Sequence, residues 1–176
     1  MKENQTGISE ALKFAIQMEL DGKKYYVLAG KESANKAGKE LYSWLAEQED
    51  QHRQRFEDIY KSIAADKGWP VTGVKPDRDM RYGTLFGKAI KSAGKSIQAN
   101  QGEIEAAGKA IEMEIKSRDY YKNQAEKSPS DIERKFFTSI SAEEQGHYLA
   151  LIDYKEYISD PDGWFTRTEH HLLDGA

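Results

Sequence analysis

The chain repeats itself. Residues 15–26 read AIQMELDGKKYY and residues 110–121 read AIEMEIKSRDYY, and at this offset of 95 residues Ala, Ile, Met, Glu, Tyr and Tyr are identical in register. The same offset carries Glu49 onto Glu144 and His52 onto His147. It also carries Leu41, Leu45, Phe56, Ile59 and Ile63 onto Phe136, Ile140, Leu151, Tyr154 and Ile158. That apolar set is spaced by threes and fours, which is the period of a helical stripe. The second half therefore reads as a divergent copy of the first.

Each copy reads as a helical hairpin. Glu19 and Glu49 are 30 residues apart, as are Glu114 and Glu144. If each pair sits at one height on antiparallel helices, the turns fall near residues 34 and 129. Ser33-Ala34-Asn35-Lys36-Ala37-Gly38 and Ser128-Pro129-Ser130 stand there, and both are turn chemistry. Ser130 followed by Glu133 adds a capping-box signature. The pattern predicts helices at about 8–34, 37–67, 102–127 and 131–159. Between the hairpins, residues 68–101 form a crossover that opens on Trp69-Pro70 and Lys75-Pro76. Phe86, Ile90, Ala93 and Ile97 share one face there, which predicts a fifth, crossing helix over 82–97, with Lys88, Lys91 and Lys95 on its solvated side. A connection this long can run the length of a bundle and makes the second and third helices parallel, as in ferritin-like bundles. The expected fold class is all-α: one four-helix domain over 1–160 arranged as in ferritin-like bundles, with hairpins at 8–67 and 102–159, and a C-terminal tail over 161–176.

Composition removes several function classes. The 176 residues are one domain's length. Charged residues make up 32% and the mean hydropathy is −0.82, which suits long helices that bury one stripe and show water the rest. There is no cysteine, so disulfides, thiolate metal sites, iron–sulfur clusters and cysteine catalysis are all absent. A net charge of −4 argues against nucleic acid or an anionic membrane as partner. The N-terminal residues show no apolar signal region and no run is long enough for a membrane span. The expected location is the cytoplasm.

The polar groups on the apolar stripes are the informative residues. Leu12, Ala15, Ile16, Glu19 and Tyr26 share a face, as do Ala107, Ile111, Glu114 and Tyr121. The second stripe runs Leu41, Leu45, Glu49, His52, Phe56, and the fourth runs Phe136, Ile140, Glu144, His147, Leu151. Each helix thus aims a carboxylate at the core, and two helices add a histidine at i+3, adjacent on the same face. Four buried carboxylates repel one another and lose hydration at several kcal/mol each, by order of magnitude. Two divalent cations balance four carboxylates. Oxygen and imidazole donors suit iron or manganese, with zinc a competitor. A single Glu-x-x-His is a weak signal; two at the repeat offset, each preceded by a stripe glutamate, are a strong one.

Other residues have plainer readings. Tyr26, Tyr121, Met18 and Met113 fit core packing. Glu143 lies near the stripe, but its repeat partner is Gln48, so a supporting or surface place is expected. His170 and His171 are adjacent and cannot share a helical face, which fits a surface or tail position.

One Glu from each of two helices, with Glu-x-x-His from each of the other two, is the constellation of ferritin-like di-metal carboxylate bundles. The chain resembles the rubrerythrin branch of that superfamily over residues 8–159, in a short form without a rubredoxin module. The resemblance implies six metal ligands, Glu19, Glu49, His52, Glu114, Glu144 and His147, holding two iron ions, with Glu49 and Glu144 bridging and each histidine on one ion. No further catalytic residue and no organic cofactor is implied. It implies reduction of hydrogen peroxide or O₂, a separate electron donor such as a rubredoxin, and a homodimer. Rubrerythrins proper carry another glutamate one turn after the third-helix ligand. Here that position is Ser117, and its repeat partner is Gly22. Two other functions compete: iron handling as a ferroxidase or storage protein, and a non-catalytic helical interaction module. The last would bind no stoichiometric metal.

Overall fold

Two antiparallel helical hairpins build the molecule. The computed structural model describes residues 2–70, 90, 97 and 101–173, and these form helices with no strand. The first hairpin pairs α1 (Lys2–Glu32) with α2 (Lys36–Ala64). The second pairs α3 (Gln101–Lys127) with α4 (Asp131–Ser159). A shorter α5 (Pro161–Leu173) follows.

The hairpin turns lie where the glutamate spacing places them. Asn35 caps α2, its side-chain oxygen accepting from Gly38 N–H at 2.7 Å. Ser130 caps α4 in the same way, accepting from Glu133 N–H at 3.3 Å. Asp66 (φ 59°) and Gly68 (φ 71°) turn the chain left-handed just past the end of α2, which stops at Ala64 rather than 67.

One expectation needs correction, and one segment without an expected element gains one. α1 begins at Lys2 instead of residue 8. Residues 2–7 carry no apolar stripe for periodicity to find, while Lys, Glu and Gln are good helix formers. The tail is also helical from Pro161. Pro161 occupies the first helical position, where a missing N–H costs nothing, and Asp160 Oδ1 accepts from Gly163 N–H at 3.0 Å. Trp164 Nε1 donates to Asp153 at 2.7 Å, and Trp164 and Phe165 pack on Tyr157, which docks α5 on α4. The side chains of His170 and His171 lie outside the described residues.

Cross-hairpin contacts set the topology. The repeated tyrosine pairs reach across in a matched set. Tyr25 and Tyr120 donate to the carbonyls of Ala106 and Ala11 at 2.7 and 3.0 Å, and Tyr26 and Tyr121 donate to Glu114 and Glu19. α1 therefore runs antiparallel to α3. Since α1 is also antiparallel to α2, α2 and α3 are parallel, and the link between them must span the bundle. Most of the expected crossing helix over 82–97 lies outside the described residues. Of its face, Ile90 is helical and buried in the core, and Ile97 packs against it.

The core divides into two apolar clusters. One holds Tyr26, Leu41, Tyr42, Leu45, Ile111, Leu151 and Tyr154, and the other holds Leu12, Phe56, Ile59, Tyr121, Phe136, Phe137 and Ile140. The polar layer of glutamates and histidines lies between them along every one of the four long helices.

Candidate metal centre

All six residues singled out by the repeat come together in that layer. Glu19, Glu49, His52, Glu114, Glu144 and His147 are each at most 5% exposed. Their donor atoms fall into two groups whose members lie within 4.8 Å of one another: Glu49, Glu114, Glu144 and His147 in one, Glu19, Glu49 and His52 in the other. Glu49 belongs to both. Glu144 spans them differently, with Oε1 at 3.0 Å from His52 Nδ1 and Oε2 at 2.9 Å from His147 Nδ1. The two imidazoles lie nearly parallel, 5.5 Å apart between ring centroids. The i, i+3 spacing on α2 and α4 puts each histidine beside its own glutamate, and the antiparallel pairing of α2 with α4 brings the two motifs face to face.

The electrostatics are those of a crowded acidic layer. Burial pushes Glu49 well above the usual carboxylate range, and the charges of Glu19, Glu144 and Glu114 add to it. Burial lifts Glu114 to about 7, with Glu144 adding and His147 opposing. Burial disfavours charge on the imidazoles, yet Glu144, Glu143 and Glu19 hold His52 well above its ordinary value. Glu114 and Glu144 likewise lift His147 to about 9. Burial also acts against ionised Glu144, but His52 and His147 outweigh it and hold that carboxyl well below its usual range. The repeat makes Glu49 and Glu144 equivalent on paper. In the structure Glu144 lies against both imidazoles, while the nearest approach of Glu49 to His147 is 3.9 Å.

The donor set fits divalent metal. Glu19 Oε2 and Glu114 Oε2 are buried with no hydrogen-bond partner, at 3.5 and 3.6 Å from the Nδ1 atoms of His52 and His147. Unpaired carboxylate oxygens in a dry core cost several kcal/mol each, by order of magnitude, and a shared cation satisfies them together. Four carboxylates and two imidazoles are oxygen and nitrogen donors of the kind that iron and manganese take.

Sequence reasoning missed several supporting residues. Tyr26 and Tyr121 are core residues as expected, but each also donates its hydroxyl to the glutamate of the opposite hairpin. Burial first, then the charges of Glu114 and Glu19, push both phenols well above their ordinary value, so they remain protonated donors. The identical Tyr-Tyr in both repeats was the available signal. Glu143 does take a supporting place: its Oε2 lies 3.1 Å from His52 Nε2, and Arg55 binds it. Gly22 leaves room beside Glu49: a Cβ there would come within 2.9 Å of Glu49 Oε2, so the carboxylate would have to shift. Met18 and Met113 are half-buried on the flanks of the layer.

Among the described residues, no helix is long and apolar enough to cross a membrane. The sequence model of the family described as Rubrerythrin matches residues 10–155. A solved structure of a hypothetical protein from Pyrococcus furiosus superposes with a TM-score of 0.64 at 20% identity, over 86% of this chain and 89% of that one, and so shares its fold. No curated protein matches the sequence.

Proposed function

This chain belongs to the rubrerythrin family, and we propose that it is a non-haem di-iron oxidoreductase that reduces hydrogen peroxide or O₂. The observation that supports this most directly is the convergence of buried carboxylates and imidazoles from four helices on one layer. Glu19 and His52 would hold one ion, Glu114 and His147 the other, with Glu49 and Glu144 shared between them. When bound, a ferrous pair supplies two electrons together, the number that cleavage of an O–O bond requires.

The chain's own residues prepare the site. The four glutamates balance the charge of two divalent ions. Tyr26 and Tyr121 hold Glu114 and Glu19 by their hydroxyls, which fixes the carboxylates across the hairpin boundary. The apolar clusters on either side of the layer keep bulk water from it. With no cysteine in the sequence there is no thiolate relay to return electrons, so a separate donor of the rubredoxin kind supplies them.

The test is direct. The purified chain should bind two iron ions by elemental analysis. The ferrous form should be oxidised by hydrogen peroxide or O₂ in stopped-flow absorbance faster than free ferrous ion in the same buffer. Turnover should then stall until a rubredoxin and its reductase are added. At most one ion per chain, or no rate advantage, would overturn the reading. A ferric mineral accumulating far beyond two ions per chain would point to storage instead.

A further inference from the structure

The repeat allows the two halves of the site to be compared residue by residue, and they differ behind the histidines. His52 turns Nδ1 toward Glu144 and Glu19, at 3.0 and 3.5 Å, and Nε2 toward Glu143, at 3.1 Å. Arg55 Nη1 binds both oxygens of Glu143, at 3.1 and 2.9 Å, and Ser139 Oγ donates to it at 3.3 Å. At the repeat offset, Glu143 corresponds to Gln48, Arg55 to Ala150 and Ser139 to Trp44. The carboxylate, its guanidinium clamp and its hydroxyl donor are thus all absent from the corresponding positions of the other half.

The structure around His147 follows from those replacements. The Trp44 indole stands edge-to-face against its imidazole, 5.2 Å between centroids. Gln48 is buried, yet no hydrogen bond joins it to His147 among the described residues. Nδ1 of His147 faces Glu144, Glu114 and Glu49 at 2.9, 3.6 and 3.9 Å, so its inner side is as well furnished as that of His52. Only the outer side differs.

A carboxylate on the outer nitrogen of a ligating histidine has known consequences. It keeps the proton on Nε2, leaves the Nδ1 lone pair free for a metal, fixes the ring plane and strengthens the donor. We propose that Glu143, clamped by Arg55, is a positioning residue for one metal ion only, the ion bound by His52. The two positions that the repeat would make equal are therefore under different control. This rests on the reading of the six buried residues as metal ligands. Which ion binds first is a separate matter, since His147 gathers with three carboxylates and His52 with two. What separates the positions is which one answers to Glu143.

The experiment is a Co²⁺ titration of the full chain, followed by visible absorbance, with Glu143→Gln tested alone and in two single-histidine backgrounds. In the otherwise unchanged chain, Glu143→Gln should weaken one of two binding steps by about 10- to 100-fold and leave the other unchanged. In His147→Ala, where the His52 position remains, it should weaken the remaining ion by the same factor. In His52→Ala it should have no effect. Glu143→Asp should recover part of the loss, and Arg55→Gln should reproduce the pattern more weakly. Should Glu143→Gln fail to fold by circular dichroism, Arg55→Gln carries the same comparison. Equal weakening in both histidine backgrounds, or no weakening in either, would overturn the inference while the ligand reading stands. Absence of stoichiometric Co²⁺ binding by the unaltered chain would instead remove the ligand reading itself.

Discussion

Glu114 and His147 meet at 3.6 Å in the core, and each holds a proton to unusually high pH in the metal-free chain. Burial, with Glu144 beside it, lifts Glu114 from 4.5 to about 7. The charges of Glu114 and Glu144 overcome burial and lift His147 from 6.5 to about 9. A metal needs an ionised Glu114 and an unprotonated Nδ1 on His147, so loading must expel these protons. Metal binding at neutral pH should therefore release protons, and the apparent affinity should climb as pH passes through the values of Glu114, about 7, and His147, about 9. Calorimetry in two buffers of different ionisation enthalpy measures the release. An affinity flat between pH 6.5 and 9 would mean that these two groups do not bind the ions.

Helix ends were legible wherever a cap accompanied an apolar stripe. Ser130 caps α4 as its capping-box context suggests, Asn35 caps α2 from within the turn segment, and both turns lie at the midpoints of the glutamate spacing. α5 escaped because its Asp160-Pro161 start precedes no clear stripe; Trp164 and Phe165 find their partner, Tyr157, only on α4. Asp160→Ala should cost about 0.5–2 kcal/mol, confined to α5, because it removes the acceptor for Gly163 N–H. Trp164 fluorescence should lose the signature of its packed site at lower temperature than the bundle melts. Metal stoichiometry should stay at the unaltered value, since α5 contributes none of the six residues. A joint loss of α5 and of metal binding would show that α5 supports the bundle more broadly.

At the scale of the molecule, the acidic layer separates two apolar clusters and lies where the hairpins meet. Removing metal leaves like charges at that boundary. The sign follows from the raised values: a group that binds its proton more tightly when folded contributes stability at low pH and loses it as pH rises. For Glu114 the loss runs from 4.5 to about 7, and for His147 from 6.5 to about 9. Glu49 and His52 act in the same direction. Glu144 acts oppositely, its contribution being lost only on the acid side as pH falls through its lowered value. The metal-free chain should thus melt lower than the loaded one, and the gap should widen from pH 6.5 to 9. Calorimetric scans of both forms check this, and equal melting temperatures at pH 9 would show that the layer is not the buried charge cluster described here.

The four long helices, the hairpin turns and the six residues that meet in the buried layer could be read from the chain alone, because each depends on short-range geometry. A period of three and four defines a face, an i, i+3 spacing defines neighbours, and the repeat confirms each assignment with a second copy. What periodicity cannot encode is which face meets which. Only the antiparallel pairing of α1 with α3 gives Tyr26 to Glu114 and Tyr121 to Glu19, across the hairpins instead of within them. Only the pairing of α2 with α4 sets Glu143 and Arg55 behind His52 and leaves Trp44 behind His147. The repeat predicts two equal halves. Packing one copy against the other turns a few unmatched residues into a difference between them, because a side chain acquires its partner from the facing helix and not from its own.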